Sequence, residues 1–358
     1  MITIERIFTE APWLSTLSEQ VWTWFSPLRI REQPGWVRFC HKGALLKPGP
    51  RAGLGISCLS LRLCAILGLL PRIPGDEFAQ WIQYIQSFQQ REGRFVGFFE
   101  DRSIFGIADR FLPNIPVRRA ESRQAYATLL SVGASPLQPV TQLPATPEEV
   151  RQYIHELDWT QPWGAGSHTG HLLFFYEMNG RVFGQTEAAE RFIPLVLAEL
   201  DRLQDPETGS WYTRRPAPHQ MVNGAMKVLT GYASISKQCH YPERLIDTCL
   251  AVANEEDGCN NADIIYVLYQ CSRYTNYRQE EILEYCASRV KKIERFRRHD
   301  GAFSFFENHS QTSYYGKRVS RGYCESDIHG TTMFALTLAM LGDLLGYNET
   351  LGWQVPLV

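Results

Sequence analysis

The segment Asp300–Gly346, DGAFSFFENHSQTSYYGKRVSRGYCESDIHGTTMFALTLAMLGDLLG, decides the fold that we predict for this chain. A turn of glycine and aromatic residues leads through a polar loop into a helix that is apolar around most of its circumference. A helix of this kind is usually buried. The same order of features recurs in weaker form earlier in the chain, which indicates an internal repeat.

Each repeat begins with an amphipathic helix, such as the one predicted from Asp76 to Phe88, where apolar residues are three and four positions apart. A turn of glycine with aromatic or acidic residues follows, and then a more uniformly apolar helix. Two kinds of helix in alternation indicate an inner and an outer shell. We therefore predict an all-α fold, an (α/α) toroid of about six helical hairpins. An open helical solenoid is the alternative, because a sequence does not show closure. The apolar helices of the five recurrences are predicted to start near Arg123, Gly170, Asn223, Ala262 and Ile328.

The repeats place a single toroid domain at residues 51–358, with residues 1–50 as an N-terminal arm packed on it. The arm is rich in Trp, Pro and Gly, and it contains an opening helix near Leu14 to Phe25. The apolar run Gly53 to Leu70 is long enough to suggest a membrane span. Because Arg62 lies in its middle and Pro71 ends it, we predict a buried helix and no transmembrane span.

Composition is ordinary for a globular protein, with 44% hydrophobic and 21% charged residues. The formal net charge of −2 gives no general attraction to nucleic acid, so no nucleic-acid partner is expected. Nine cysteines in no CxxC spacing argue against a disulfide framework, and the first residues lack the pattern of a secretory signal. We therefore expect a cytoplasmic protein. No protein partner can be inferred.

Several of these turns and helices resemble known repeats. Gly209-Ser210-Trp211 resembles the Gly/Trp repeat of squalene and oxidosqualene cyclases. EGRFVGFFED with RAESRQAYATLL, and DGAFSFF with SDIHGTTMFALTLAML, resemble repeats in the β subunits of protein prenyltransferases. The resemblance covers residues 75–346 as a pattern. It implies an α/α toroid that acts on an isoprenoid or similar apolar substrate in a central cavity.

The prenyltransferase resemblance also implies a zinc site. Asp257-Gly258-Cys259 opens one predicted inner helix and His329 lies at the head of the last one, where the family has an Asp, a Cys and a His that bind catalytic zinc. Three such ligands leave a fourth position open, where a substrate thiol would be held as thiolate. This sequence departs from the family at Asn260-Asn261, where aromatic residues are expected, and at Asn254-Glu255-Glu256, where basic residues are expected. Without zinc, the same positions are helix caps and a buried thiol.

Polar residues at the starts of the predicted inner helices are the other candidates for a site. If the inner helices run parallel, these starts converge at one mouth of the ring, where helix N-termini also favour anions. Carboxylates that meet there can raise one another's pKa enough to create a general acid. The predicted catalytic residues are Glu121, Asp263, Glu325 and Asp327, and the predicted substrate-binding residues are His168, His171, Asn223, Trp211 and Arg321.

Three functions remain open from the sequence. The first is an enzyme of the terpenoid cyclase and prenyltransferase class, with zinc-assisted prenyl transfer as its most specific form. The second is a carbohydrate-active α/α toroid, a hydrolase, lyase or epimerase, with Trp163, Trp211 and carboxylates along an open groove. The third is a non-catalytic binding or partner module on the same fold.

Overall fold

The computed structural model describes residues 3–105, 109, 113–252 and 257–356. Within these ranges the chain forms fourteen α-helices and one short β-hairpin, so the predicted all-α class is confirmed. The helices are α1 Ile4–Glu10, α2 Leu17–Phe25, α3 Leu54–Ile66, α4 Gly75–Gln86, α5 Ile115–Ser131, α6 Pro147–His155, α7 Pro162–Phe183, α8 Thr186–Leu203, α9 Pro218–Ser234, α10 Pro242–Leu250, α11 Gly258–Ser272, α12 Gln279–Ile293, α13 Ile328–Leu345 and α14 Asn348–Leu351. The β-hairpin consists of β1 Ser313–Tyr314 and antiparallel β2 Lys317–Arg318.

Six helices form a closed inner ring in the order α3, α5, α7, α9, α11 and α13. Each packs against the next, and α13 packs back against α3. At this closing junction the hydroxyl of Thr332 donates a hydrogen bond to the carbonyl of Leu59, at 3.2 Å. The fold is therefore an α/α toroid, and the alternative of an open solenoid is wrong.

The outer ring contains the amphipathic helices α4, α6, α8, α10 and α12, which alternate with the inner helices along the chain. Helix α2 takes the sixth outer place. Its Phe25 stacks on Trp81 of α4, with ring centroids 6.4 Å apart, and its Gln20 accepts a hydrogen bond from Arg297 just after α12. The N-terminal segment thus packs on the toroid and supplies one of the helices of the outer ring.

The inner helices are more buried than the outer helices, because the outer ring covers one face and neighbouring inner helices cover the flanks. Every residue of α3 is buried, including Arg62, as the sequence predicted for the run Gly53 to Leu70. Helix α13 is long and apolar enough to cross a membrane, but 72% of it is buried inside the protein. Its apolar character is accounted for by its place in the ring.

Helices α7 and α9 approach each other closely because glycines line their contact. A Cβ atom at Gly170 would lie 2.5 Å from the carbonyl oxygen of Lys227, and one at Gly166 would lie 2.6 Å from that of Gly224. Small residues at such a contact allow two helix backbones to come together. This contact places the first turns of α7 beside Lys227 of α9.

We predict that Gly170→Ala destabilises the protein by about 1–3 kcal/mol, the usual cost of overpacking a core. The matched control is Gly164→Ala in the same helix. A Cβ there meets nothing within 4 Å, so the substitution should be neutral or stabilising by up to about 1 kcal/mol. Urea unfolding of both variants measures the difference. Equal stability of the two would show that α7 and α9 are not in close contact.

Candidate functional site

The β-hairpin lies over the N-terminal ends of the inner helices. Its turn residues Tyr315 and Gly316 have φ angles of +45° and +77°, the combination that a two-residue type I′ turn requires. The Tyr314 hydroxyl donates to Oε1 of Glu121 at 2.6 Å, and the Tyr314 ring lies edge-on to His329, with centroids 5.9 Å apart. The β-hairpin therefore connects the starts of α5 and α13.

Tyr314 was not among the residues predicted from the sequence. The signal that could have found it is the Tyr-Gly dipeptide at the centre of Ser313 to Arg318, a turn between two short extended segments. Its partner Glu121 lies 193 positions away, so the contact itself is not visible in the sequence.

Glu121 lies in the second turn of α5 with only 1% of its surface exposed. Burial raises the pKa of its carboxyl to about 8, and the hydrogen bond from Tyr314 opposes this rise. Its Oε2 atom has no hydrogen-bond partner among the described residues. Near neutral pH Glu121 is therefore protonated. In the described part of the chain, no acceptor forms a hydrogen bond with this proton.

Asp263 lies in the second turn of α11, and α5 and α11 are the second and fifth helices of the six-membered ring. They are therefore on opposite sides of its axis. Burial raises the pKa of Asp263 to about 7, and the positive charge of Lys227 opposes the rise. Tyr315, at the tip of the β-hairpin, is electrostatically coupled to both Glu121 and Cys259, so it lies between the two sides.

Basic residues gather on the α5, α7 and α9 side of the mouth. We call Arg119, Arg123, His168, His171 and Lys227 the cationic sector. Burial and then the charges of the other four members lower the pKa of His171 well below its ordinary value. The Nδ1 atoms of both histidines are buried without a hydrogen-bond partner among the described residues. The two histidines and the three basic side chains together favour an anionic group at this place.

Trp163 stands at the edge of the cationic sector with 53% of its surface exposed. The Lys227 ammonium group lies 5.2 Å from the centroid of its ring, in a cation–π contact. Asn223 of α9 is half-buried and donates to the side-chain oxygen of Asn260 at 3.2 Å. The mouth thus offers an exposed aromatic face next to amide and ammonium groups.

Two of the predicted zinc ligands, Asp257 and His329, make hydrogen bonds to other groups of the protein. Asp257 caps α11 by accepting from the backbone N–H of Asn260 at 2.9 Å, and burial raises the pKa of the Cys259 thiol to about 12. Nδ1 of His329 is hydrogen-bonded to Gln311, and burial lowers the pKa of the ring to about 4. Across the described ranges, no three His, Cys, Asp or Glu side chains are grouped to hold a metal ion. The geometry therefore gives zinc no support at these residues.

Two predicted catalytic carboxylates have structural partners instead. Asp327 is fully buried at the start of α13, where it accepts from the backbone N–H groups of Gly330, Phe305 and Gln311 at 2.8, 2.9 and 3.1 Å. Burial raises its pKa to about 6. Glu325 accepts from the backbone N–H of Gly43 at 2.6 Å and so holds the N-terminal segment. These contacts give both carboxylates a structural role, and their action on a substrate stays a prediction.

Two predicted substrate-binding residues also lie elsewhere. Trp211 has no exposed surface and donates to the carbonyl of Leu200 at 3.0 Å, so it is a core residue. Arg321 is exposed beside the base of the β-hairpin and donates to the hydroxyl of Tyr323 at 3.3 Å. The segment Asn254-Glu255-Glu256 lies outside the described residues. Of the predicted residues, the structure brings Glu121, His168, His171, Asn223, Asp257, Cys259, Asp263 and His329 to the mouth.

The fold and this mouth define the class of protein: it is an α/α toroid with a polar site at one end of its ring. No family model and no curated protein sequence matches this chain. A solved structure titled glycosyl hydrolase family 88 from Bacteroides vulgatus is similar, with a TM-score of 0.48 and 14% identity over 96% of this chain and 99% of that chain. Likeness at this level transfers neither a substrate nor a catalytic residue. The comparisons give no support to the resemblance to terpenoid cyclases and prenyltransferases.

We predict that Glu121→Gln becomes progressively more stable than the unsubstituted protein as pH rises from about 5 to about 8. The folded state holds the Glu121 proton up to a pKa of about 8, whereas the unfolded chain releases it near its ordinary value of 4.5. The contribution of this proton to the free energy of unfolding is complete below pH 4.5, and it is lost as pH rises through about 8. The amide of the variant has nothing to ionise, and its oxygen can still accept from Tyr314.

Denaturant unfolding at several pH values measures this difference. The exposed control Glu190→Gln, on outer helix α8, should reproduce the pH dependence of the unsubstituted protein. A constant difference between Glu121→Gln and the unsubstituted protein across this range would contradict the raised pKa.

Proposed function

We propose that this protein is a carbohydrate-active enzyme whose active site is the mouth covered by the β-hairpin. The observation that supports this most is the pair of buried carboxyl groups, Glu121 and Asp263, on opposite sides of the ring axis. Enzymes that cleave glycosidic bonds place two carboxyl groups on either side of the bond, one as acid and one as base or nucleophile. Their different environments separate the two roles.

Glu121 fits the role of general acid, because its raised pKa keeps it protonated near neutral pH and its Oε2 has no acceptor among the described residues. In hydrolysis it would donate this proton to the glycosidic oxygen as the bond to the sugar carbon breaks. Asp263, with a pKa of about 7, would accept a proton from the water that attacks that carbon. Their place on opposite sides of the ring axis matches the arrangement in inverting enzymes, where sugar and water lie between two separated carboxyl groups.

The cationic sector indicates a saccharide that bears an acidic group. A carboxylate or sulfate bound there would pair with Lys227 and Arg119 and accept hydrogen bonds at the head of α7. The exposed face of Trp163 is suited to pack against a sugar ring, because an aromatic side chain presents a flat apolar surface beside polar groups.

The interior of the ring disfavours an isoprenoid substrate. Arg62 of α3, Arg123 of α5 and Tyr266 of α11 are buried and electrostatically coupled to one another, so they occupy its centre. Burial lowers the pKa of Arg123 to about 10. A hydrocarbon chain placed there would have to pack against charged and hydroxyl groups rather than an apolar lining, which is costly.

A non-catalytic binding module is the second candidate, and the position of Tyr314 favours it. The Tyr314 hydroxyl occupies one oxygen of the carboxyl that would act as acid. A protein that binds a saccharide at the rim, with Trp163 and the cationic sector, does not need access to that carboxyl.

Purified protein should release reducing ends from oligosaccharides that contain uronic acid or sulfated residues. We predict that Glu121→Gln and Asp263→Asn each lower kcat by about 100- to 10,000-fold, the usual contribution of a general acid or base. Both variants should remain folded, because each replaces a buried carboxyl with a neutral group of the same shape. Glu190→Gln should retain full activity. Saccharide binding without turnover would favour the binding module, and full activity in Glu121→Gln would contradict the assigned acid.

We further predict that Lys227→Met raises KM for an acidic oligosaccharide at least about 10-fold, since a charge-assisted contact is worth about 1.5–3 kcal/mol. KM for a neutral oligosaccharide of the same linkage should change little. The loss of this cation also raises the pKa of Asp263, so the limb of the pH profile assigned to Asp263 should move to higher pH. Lys227→Arg, which keeps the charge, should restore both properties. An equal loss for acidic and neutral substrates would contradict the cationic sector as the anion site.

A further inference from the structure

Two cysteines lie side by side at the end of the toroid opposite the mouth. Cys239 is in the loop of residues 235–241 that follows α9, and Cys271 is in the last turn of α11. Their relative exposures are 5% and 1%, and the thiol of Cys271 is hydrogen-bonded to the sulfur of Cys239. Sequence spacing gave no indication of this pair, since the two residues are 271 − 239 = 32 positions apart.

The surroundings favour the thiolate form of Cys239. The hydrogen bond from Cys271 lowers the pKa of Cys239, and the Gln204 side chain and the backbone N–H of Tyr241 add to this effect against the opposing effect of burial. At the buried thiols Cys64 and Cys286 burial is the largest cause instead, and it raises the pKa of each thiol to about 12. Cys239 is therefore the more nucleophilic member of the pair, because the thiolate is the reactive form of cysteine.

A small surface pocket lies beside both cysteines. It is lined by the last turns of α9 and α11 and by the loop that follows α9, and Cys239 and Cys271 both contribute to its wall. Lys237 at its edge adds a positive charge near the thiolate. A molecule of the size of hydrogen peroxide therefore has a route to Cys239 that it lacks to Cys58 or Cys249, which are fully buried.

We propose that Cys239 and Cys271 form a peroxide-sensitive dithiol site that closes to an intramolecular disulfide. The Cys239 thiolate attacks one oxygen of the peroxide, the O–O bond breaks, and the departing hydroxide takes up a proton to leave as water. The resulting Cys239 sulfenic acid is attacked by the sulfur of Cys271, which forms the S–S bond and releases the second water. Two thiols are oxidised by two electrons and one peroxide is reduced to two waters.

The experiment treats the full-length reduced protein with increasing hydrogen peroxide, blocks the remaining thiols with iodoacetamide, and maps tryptic peptides by mass spectrometry. Cys239 falls in the peptide of residues 238–244, and Cys271 falls in the peptide of residues 245–273 with Cys249 and Cys259. We expect these two peptides to be joined with the loss of two hydrogens, and fragmentation to place the bond at Cys271. Dithiothreitol should reverse it.

Three variants test the assignment. Cys239→Ser and Cys271→Ser should each abolish the linked peptide, whereas Cys249→Ser, a matched buried control in the same tryptic peptide, should retain it. If a variant does not fold, peptide mapping of the unsubstituted protein still shows whether Cys239 and Cys271 form the disulfide. Oxidation of the exposed Cys324 without any bond at Cys239 would overturn the proposal, and so would a bond from Cys239 to Cys249 or Cys259.

Discussion

The contact between α13 and α3 is the constraint on which the rest of the structure depends. It joins the last inner helix to the first, through a core that includes the Thr332 to Leu59 hydrogen bond across 273 positions of sequence. Because each outer helix returns the chain, the six inner helices then run in the same direction around one axis. Their N-terminal ends, with the positive ends of their dipoles, converge at one mouth. Closure therefore sets the electrostatic character of the site before any side chain is considered.

The polar residues at this mouth are held at a cost in stability. Glu121 and Asp263 would each be easier to bury as amides, since burial is the largest cause of both raised pKa values. The Nδ1 atoms of His168 and His171, which have no partner among the described residues, add to this cost. Buried carboxyl and imidazole groups with shifted pKa values that lie together at one place are typical of functional sites.

The sequence predicted those features that repeat locally. The alternation of amphipathic and apolar helices predicted the toroid. The polar residues near the N-terminal ends of the apolar helices predicted that Glu121, Asp263 and the histidines lie at one mouth of the ring. The sequence alone could not predict that α2 belongs to the outer ring or that Tyr314 contacts Glu121, because both contacts join residues that are far apart in sequence. The zinc prediction failed to gain support for a physical reason. Asp257 is an effective helix cap whether or not a metal is bound, so its position alone does not distinguish the two roles.

The two ends of the ring are connected through α9 and α11. Lys227 and Asp263 lie toward the mouth on these helices, and their charges are coupled there. Cys239 follows α9 and Cys271 ends α11 at the opposite end. A disulfide between them would fix the separation of the two helices at one end, and because each helix is a rigid rod it would also limit their separation at the other. The pKa of Asp263 depends on the distance to Lys227, so oxidation at the far end would act on the carboxyl group that we assign to the chemistry.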